Sequence, residues 1–206
     1  MNRPTIENKL TGYLLLMLFI SFVLLFSWSV ETAVAETIKG KVKLKSANHA
    51  DKVVVFVEEA KGTFFPPEEH PIMDQINLTF VPYVLPVLKG TTVDFHNSDD
   101  VLNNIFTPSW AGRKFNLGTY PKGVVRSYTL DRLGEVKLLC NIHPDMEGYI
   151  LVLQNPYFAV TDEEGRYEIT SVAPGSYTLH VWYERVPGEP QAITVKKGEV
   201  TVADFN

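Results

Sequence analysis

Short runs rich in β-branched and aromatic residues recur from residue 36 to the end of the chain. Two examples are KVVVFVEE (residues 52–59) and SYTLHVWYE (residues 176–184), and glycine, proline, asparagine and aspartate separate such runs. Valine, isoleucine, threonine and aromatic residues favour strands, in which successive side chains point to opposite faces. No segment of this part keeps the 3.6-residue apolar period of a helix. The pattern predicts an all-β fold of sandwiches or barrels.

The N-terminal segment has a different composition from the rest of the chain. Arg3 and Lys9 precede an apolar run at residues 13–26, and small residues follow at Ala33 and Ala35. This order is typical of a secretory signal peptide, which we expect to be helical and to be cleaved after Ala35. The alternative is an uncleaved anchor, since the stretch from Tyr13 to Val30 approaches spanning length. Both predict an exported chain, in the periplasm or another extracytoplasmic compartment.

The charge of the chain excludes some classes of partner. The whole chain has 19 basic and 24 acidic residues, and the predicted signal peptide removes two of each, so the net charge stays at −5. No basic run remains that would attract nucleic acid or an anionic membrane. We expect no nucleic-acid partner, and no membrane contact unless the signal segment is retained.

Sequence motifs of enzymes are missing from the chain. It contains no H-E-x-x-H, no nucleotide-binding loop and no Ser/His/Asp arrangement in a recognisable context. We therefore expect that the protein is not an enzyme and has no catalytic residues.

Cys140 is the only cysteine of the chain. An exported protein with one cysteine cannot form an internal disulfide. The thiol is therefore buried, bound to a metal, paired with another chain or open to oxidation.

The cysteine begins a short loop that also carries a histidine and a methionine. In LLCNIHPDMEGYILV (residues 138–152), Cys140, His143 and Met146 follow one another at intervals of three. Because the next strand returns at once, we expect the loop to bring the imidazole and the thioether back toward the sulfur. Thiolate, imidazole and thioether suit copper or zinc, and suit magnesium or calcium poorly. The pattern predicts a metal site of these three residues; the alternative is a buried thiol beside two loop residues that bind nothing.

The loop, with the pattern C-x2-H-P-x-M, resembles the ligand loop of cupredoxins and is most similar to that of amicyanins. Upstream, residues 80–106 resemble the opening strands of the same family, with F-x-P followed by G-x-x-V-x-F-x-N. The resemblance covers residues 73–153. It implies a Greek-key sandwich that binds one copper ion, and a redox or copper-exchange protein as its partner. Ile142 or Tyr149 would then help to form a docking patch.

One ligand of the cupredoxin pattern is replaced. The family places its first histidine in an H-N-V triplet, and Asn103 stands in that slot, followed by the matching Asn104. An amide oxygen is a neutral, harder donor than imidazole. His96 is a poor substitute, because strand alternation points it away from the face of Val93 and Phe95.

Three functions follow from this incomplete ligand set. The first is periplasmic electron transfer by a copper-binding cupredoxin-like protein. The second is the handling of Cu(I) without redox cycling. The third is a metal-free β-sandwich that binds partners or supports the cell envelope.

The C-terminal part has a second resemblance. TDEEGRY (residues 161–167) followed by PGSYTL (residues 174–179) resembles the hairpins of carboxypeptidase regulatory-like, or transthyretin-like, modules. The usual first strands of such modules are similar to IKGKV (residues 38–42) and VVVFV (residues 53–57), far upstream. We predict that the outer parts of the chain form one small β-sandwich into which the cupredoxin-like unit is inserted.

The predicted domain division follows. It consists of a signal peptide (residues 1–35), first strands of the regulatory-like sandwich or of the cupredoxin (36–60), a cupredoxin-like domain (61–154) and the rest of the regulatory-like sandwich (155–206).

Overall fold

The computed structural model describes residues 36–43, 52–108, 114–184 and 186–206. The predicted signal peptide and its helix, residues 1–35, lie outside these ranges. The described residues form strands and no α-helix, so the expected all-β fold is confirmed. Within the same ranges, no helix is long and apolar enough to cross a membrane.

The strands are short and follow one another closely. In chain order they are β1 (Glu36–Lys41), β2 (Val54–Val57), β3 (Ile72–Ile76), β4 (Thr79–Val81), β5 (Val84–Leu88), β6 (Thr92–His96), β7 (Asn103–Phe106), β8 (Asn116–Tyr120), β9 (Val125–Thr129), β10 (Gly134–Leu139), β11 (Glu147–Leu153), β12 (Phe158–Val160), β13 (Arg166–Val172), β14 (Gly175–Tyr183), β15 (Val186–Pro187), β16 (Gln191–Val195) and β17 (Val200–Val202).

These strands form four sheets, which pack in two pairs. In the central pair, one sheet has the order β5-β11-β10-β7-β8 and the other has the order β4-β3-β6-β9. In the outer pair, one sheet has the order β13-β1-β17 and the other has the order β12-β2-β14-β15, with β16 also paired to β14. We call these pairs the central sandwich and the outer sandwich.

Strand alternation builds the core of the central sandwich. In β6, Val93 and Phe95 are fully buried and the three alternating residues, Thr92, Asp94 and His96, are half-buried. In β10, Val136 and Leu138 enter the same apolar cluster. Complete burial of a side chain of this size contributes about 1.5–3 kcal/mol, so the cluster holds the two sheets together.

The outer sandwich joins the two ends of the described chain. β1 pairs with β13 in antiparallel and with β17 in parallel orientation, and β2 lies between β12 and β14. Its core includes Ile38, Val55, Ile169 and Leu179. All strands of the central sandwich lie between β2 and β12 in the sequence. The exact domain boundaries stay a prediction.

Strand β11 contributes to two separate apolar clusters. Ile150 and Val152 enter the cluster of the central sandwich, whereas Tyr149 and Leu151 enter a second cluster with Val54 of β2. All residues from Gly148 to Leu153 are therefore buried. One face of β11 packs in the core of the central sandwich, and the other face packs against β2 of the outer sandwich. The strand starts directly after the loop that carries Met146.

Candidate metal centre

Strand β10 positions the sulfur of Cys140. The residue follows Leu138 at a spacing of two and continues the inward-facing row of that strand. Its side chain is 5 % exposed and lies in the apolar cluster of the central sandwich, together with Met146. The thiol is thus buried at the end of the sandwich where β10 turns into β11.

The loop from Cys140 to Met146 brings the imidazole to the sulfur. The Sγ atom of Cys140 lies 3.7 Å from Nδ1 of His143. The backbone N–H of Met146 donates to the carbonyl of His143 over 3.1 Å, which closes a tight turn. This turn returns the methionine to the interior, where 1 % of its surface is exposed, whereas His143 stays half-buried.

Asn104 fixes the loop against β7 and β8. Its backbone N–H donates to Sγ of Cys140 over 3.4 Å, and its side-chain oxygen accepts from the backbone N–H of Asn141 at 3.3 Å. Its amide nitrogen donates to the side chain of Asn116 over 2.9 Å. The sulfur therefore has a backbone donor beside it, and such a donor stabilises a thiolate and tunes a metal bound to it.

Asn103 occupies the position before this donor and is completely buried. Its Nδ2 donates to Oδ2 of Asp99 over 2.8 Å and to Oδ1 of Asn97 over 3.1 Å. Both partners accept hydrogen bonds, which fixes the orientation of the amide. Its Oδ1 is buried without a hydrogen-bond partner. Leaving such an acceptor unpaired costs free energy, so an orphan of this kind calls for an explanation.

The spacing of sulfur and nitrogen fits two ligands of one metal ion. Bonds of about 2.3 Å to sulfur and about 2.0–2.1 Å to nitrogen, as for zinc, at an angle of about 110–120° separate the two ligand atoms by about 3.6–3.8 Å. The observed 3.7 Å lies in this range. Without a metal, the same two atoms form a thiol–imidazole hydrogen bond.

The chemistry of the donor set points to a soft ion. Among the described residues, no group of three or more His, Cys, Asp and Glu side chains could hold a metal. Cys140 and His143 supply two donors of those types, and the thioether of Met146 would be the third. Two sulfurs and one imidazole fit copper better than they fit magnesium or calcium.

The sequence did not point to the buried polar network beside the loop. Gln75 is fully buried, and its Nε2 donates to the hydroxyl of Tyr120 over 2.8 Å and to the carbonyl of His96 over 2.9 Å. Burial raises the pKa of Tyr120, so the phenol stays protonated. The only sequence signal for Asn97 and Asp99 is the turn-forming NSDD stretch after β6, which says nothing about a network.

The structure also places three other residues that the sequence analysis considered. His96 is half-buried and lies on the face of β6 opposite to Val93 and Phe95. The expectation that Tyr149 belongs to a docking patch is wrong, because 2 % of it is exposed and its ring packs 5.2 Å from that of Trp182. Ile142 is 44 % exposed in the loop itself.

Comparison with known proteins finds one family model and several solved structures that are similar to parts of the chain. Residues 151–203 match the family model of polysaccharide lyase family 4, domain II. The family match is thus not to a carboxypeptidase regulatory-like module, and that resemblance stays a prediction. No curated protein matches the chain.

The similar solved structures are cupredoxins. A purple cupredoxin from Nitrosopumilus maritimus is 27 % identical, with a TM-score of 0.35, over 39 % of this chain and 95 % of that one. An oxidised amicyanin variant is 20 % identical, with a TM-score of 0.38, over 41 % of this chain and 83 % of that one. A copper-containing nitrite reductase from Thermus scotoductus SA-01 is 22 % identical, with a TM-score of 0.41, over 56 % of this chain and 28 % of that one.

Proposed function

We propose that this protein is an exported copper-binding protein whose ligands are Cys140, His143 and Met146. The observation that carries the proposal is the 3.7 Å spacing of Sγ and Nδ1 beside a backbone N–H that donates to the same sulfur. Zinc would accept the same thiolate and imidazole, but a thioether as third donor favours copper. The predicted signal peptide supports an extracytoplasmic location.

Electron transfer with a protein partner is the role that we propose for this site. Bound copper supplies a one-electron couple between Cu(II) and Cu(I). The protein's part is to hold the ligands still: Cys140 is fixed by β10 and by Asn104, and Met146 is fixed by the turn to His143. A half-buried imidazole beside the exposed Ile142 leaves one edge of the site open to a partner. The role needs no catalytic residues, so we propose no enzymatic activity.

A second function, the handling of Cu(I), is favoured by one specific observation. Asn103 stands where the resemblance places a second imidazole, and its amide nitrogen is engaged with Asn97 and Asp99. The remaining soft donors are two sulfurs and one imidazole, a set that prefers Cu(I) to Cu(II). A protein with this ligand set would transfer copper to a partner as Cu(I), without oxidising it to Cu(II).

Metal titration of the purified protein tests the proposal. We expect one Cu(I) per chain, with affinity lowered at least about tenfold in Cys140→Ser and in His143→Ala, since each removes one direct bond. His70→Ala is the matched control, because this imidazole lies in the same sandwich and contacts Asp94, away from the cysteine. Unchanged affinity in both ligand variants, or no copper bound by the wild type, would refute the site.

Addition of Cu(II) separates the two roles. A thiolate-to-copper charge-transfer band that disappears on reduction and returns on oxidation supports electron transfer. Tight binding of Cu(I) with no stable Cu(II) form supports handling. Binding of neither ion leaves the metal-free module as the function.

A further inference from the structure

The orphan oxygen of Asn103 is the feature that the three-ligand site does not explain. The two hydrogens of Nδ2 are taken by Asp99 and Asn97, so the amide plane is fixed. Oδ1 is on the other branch of the same carboxamide, buried and without a partner. Both hydrogens of this buried amide are paired, whereas its oxygen is not. This asymmetry makes the oxygen a candidate ligand atom.

Strand geometry places the Asn103 side chain on the face of β7 that packs against the core containing Cys140. Asn103 and Ile105 are two residues apart in β7 and therefore share a face. Ile105 enters the apolar cluster that contains Cys140 and Met146. The peptide that follows Asn103 carries the N–H that donates to Sγ. The Asn103 side chain thus starts on the inward face of β7, one peptide away from the N–H that contacts the sulfur.

We propose that Oδ1 of Asn103 is a ligand for Cu(II) and not for Cu(I), an inference that rests on the proposed copper site. A carboxamide oxygen is a hard, neutral donor, which suits the doubly charged ion better than the soft, singly charged one. Asn103 therefore selects between the two oxidation states. If a partner redox protein donated one electron to bound copper, the Asn103 oxygen would lose its bond to the ion, while Cys140, His143 and Met146 would keep holding it. No proton would move, because the amide is neutral in both states.

Asp99 and Asn97 act on this ligand as positioning residues. Asp99 is 9 % exposed, and its Oδ2 accepts from both the Asn103 amide and the backbone N–H of Leu78 at 3.2 Å. A carboxylate that accepts from the NH2 of an amide draws positive charge to that end and leaves more negative charge on the amide oxygen. The pair therefore orients Oδ1 and makes it a better donor.

The test compares affinities for the two oxidation states. We expect Asn103→Leu to weaken Cu(II) at least about tenfold and to change Cu(I) less than about twofold. A tenfold loss for Cu(II) alone raises the reduction potential by about 59 mV, since one electron is exchanged. The control is Thr91→Val, which removes another buried, unpartnered oxygen at the far end of β6 and should change neither affinity.

The outcomes separate this inference from the proposed function. If the wild type binds no copper, the proposed function fails. If the wild type binds Cu(I) but Asn103→Leu leaves Cu(II) unchanged, or weakens both ions equally, only the role of Asn103 is overturned. Asp99→Asn, which keeps an acceptor but removes its charge, should raise the potential in the same direction by less. An unchanged or lowered potential in that variant overturns the positioning role.

X-ray absorption counts the donor atoms around copper directly, and the comparison of Cu(I) with Cu(II) can be made on the wild type alone. We expect one nitrogen or oxygen donor around Cu(I) and two around Cu(II), with the second donor lost in Asn103→Leu. Equal numbers in the two states, or a second donor that persists in the variant, would overturn the inference.

Discussion

Replacement of Gly148 by alanine is the sharpest test of how the fold holds the loop from Cys140 to Met146. A Cβ at this position would lie 2.7 Å from Cβ of Phe80 and 3.0 Å from its Cγ. Phe80 is 2 % exposed and belongs to the core of the central sandwich. The nearest atom is a Cβ, which is fixed by its own backbone, so no rotamer change of Phe80 removes the contact.

The cost follows from the distance that must be gained. Ordinary contact begins at 3.4 Å, so β4 and β11 must separate by about 0.7 Å in a close-packed core. Overpacking of this kind costs about 1–3 kcal/mol. Because only backbone movement relieves this contact, we expect a cost in the upper half of that range, about 2–3 kcal/mol. For a chain of this length, the melting temperature should fall by about 4–12 °C.

Thermal unfolding followed by circular dichroism measures the effect. Gly118→Ala is the matched control, because its new Cβ meets nothing within 4 Å and its cost, about 1 kcal/mol, comes only from a φ of +75°. A melting temperature of Gly148→Ala within about 2 °C of the wild type would refute the packing argument. Because Gly148 is two residues from Met146, the variant should also weaken Cu(I) binding.

Three further predictions concern the site and its surroundings. Asn103→His should create or intensify the charge-transfer band of the Cu(II) form in the visible spectrum; a band unchanged with copper bound would count against placing Asn103 in the histidine slot. Copper at 100 times its dissociation constant should stabilise the protein by about 2.7 kcal/mol by mass action, and the metal-free chain should already be folded by circular dichroism. The hydrogen bond from Ser127 and contacts with His70 lower the pKa of Asp94, so this carboxylate stabilises the fold above about pH 4 and the contribution is lost as the pH falls through the lowered pKa. Ser127→Ala should therefore shift acid unfolding to higher pH in a titration followed by circular dichroism, and an unshifted midpoint would contradict the assignment.

Local patterns in the sequence were sufficient to predict the all-β fold class. Alternation at Val93 and Phe95, and turn residues between the runs, are local signals that the sheets preserve. The proximity of Cys140 and His143 also followed from local geometry, because a short loop between paired strands leaves little choice of position. The three-residue metal site itself stays a prediction.

Features that depend on distant partners could not be predicted in this way. The orientation of Asn103 is set by Asp99 and Asn97, which reach it through a loop whose backbone no periodicity describes. Tyr149 is buried because the outer sandwich covers that face of β11 with Val54 and Trp182. The sequence did contain a signal for the burial of Tyr149. GYILVL is an unbroken apolar run, which is typical of a strand buried on both faces.

The pairing of β1 with β13 and β17 imposes an order on folding. All strands of the central sandwich lie between residues 72 and 153. Ile38 of β1, in contrast, pairs with Ile169 and Thr201, which come much later in the chain. The central sandwich can thus form while β1 and β2 are still unpaired, and β17 completes the sheet that contains β1.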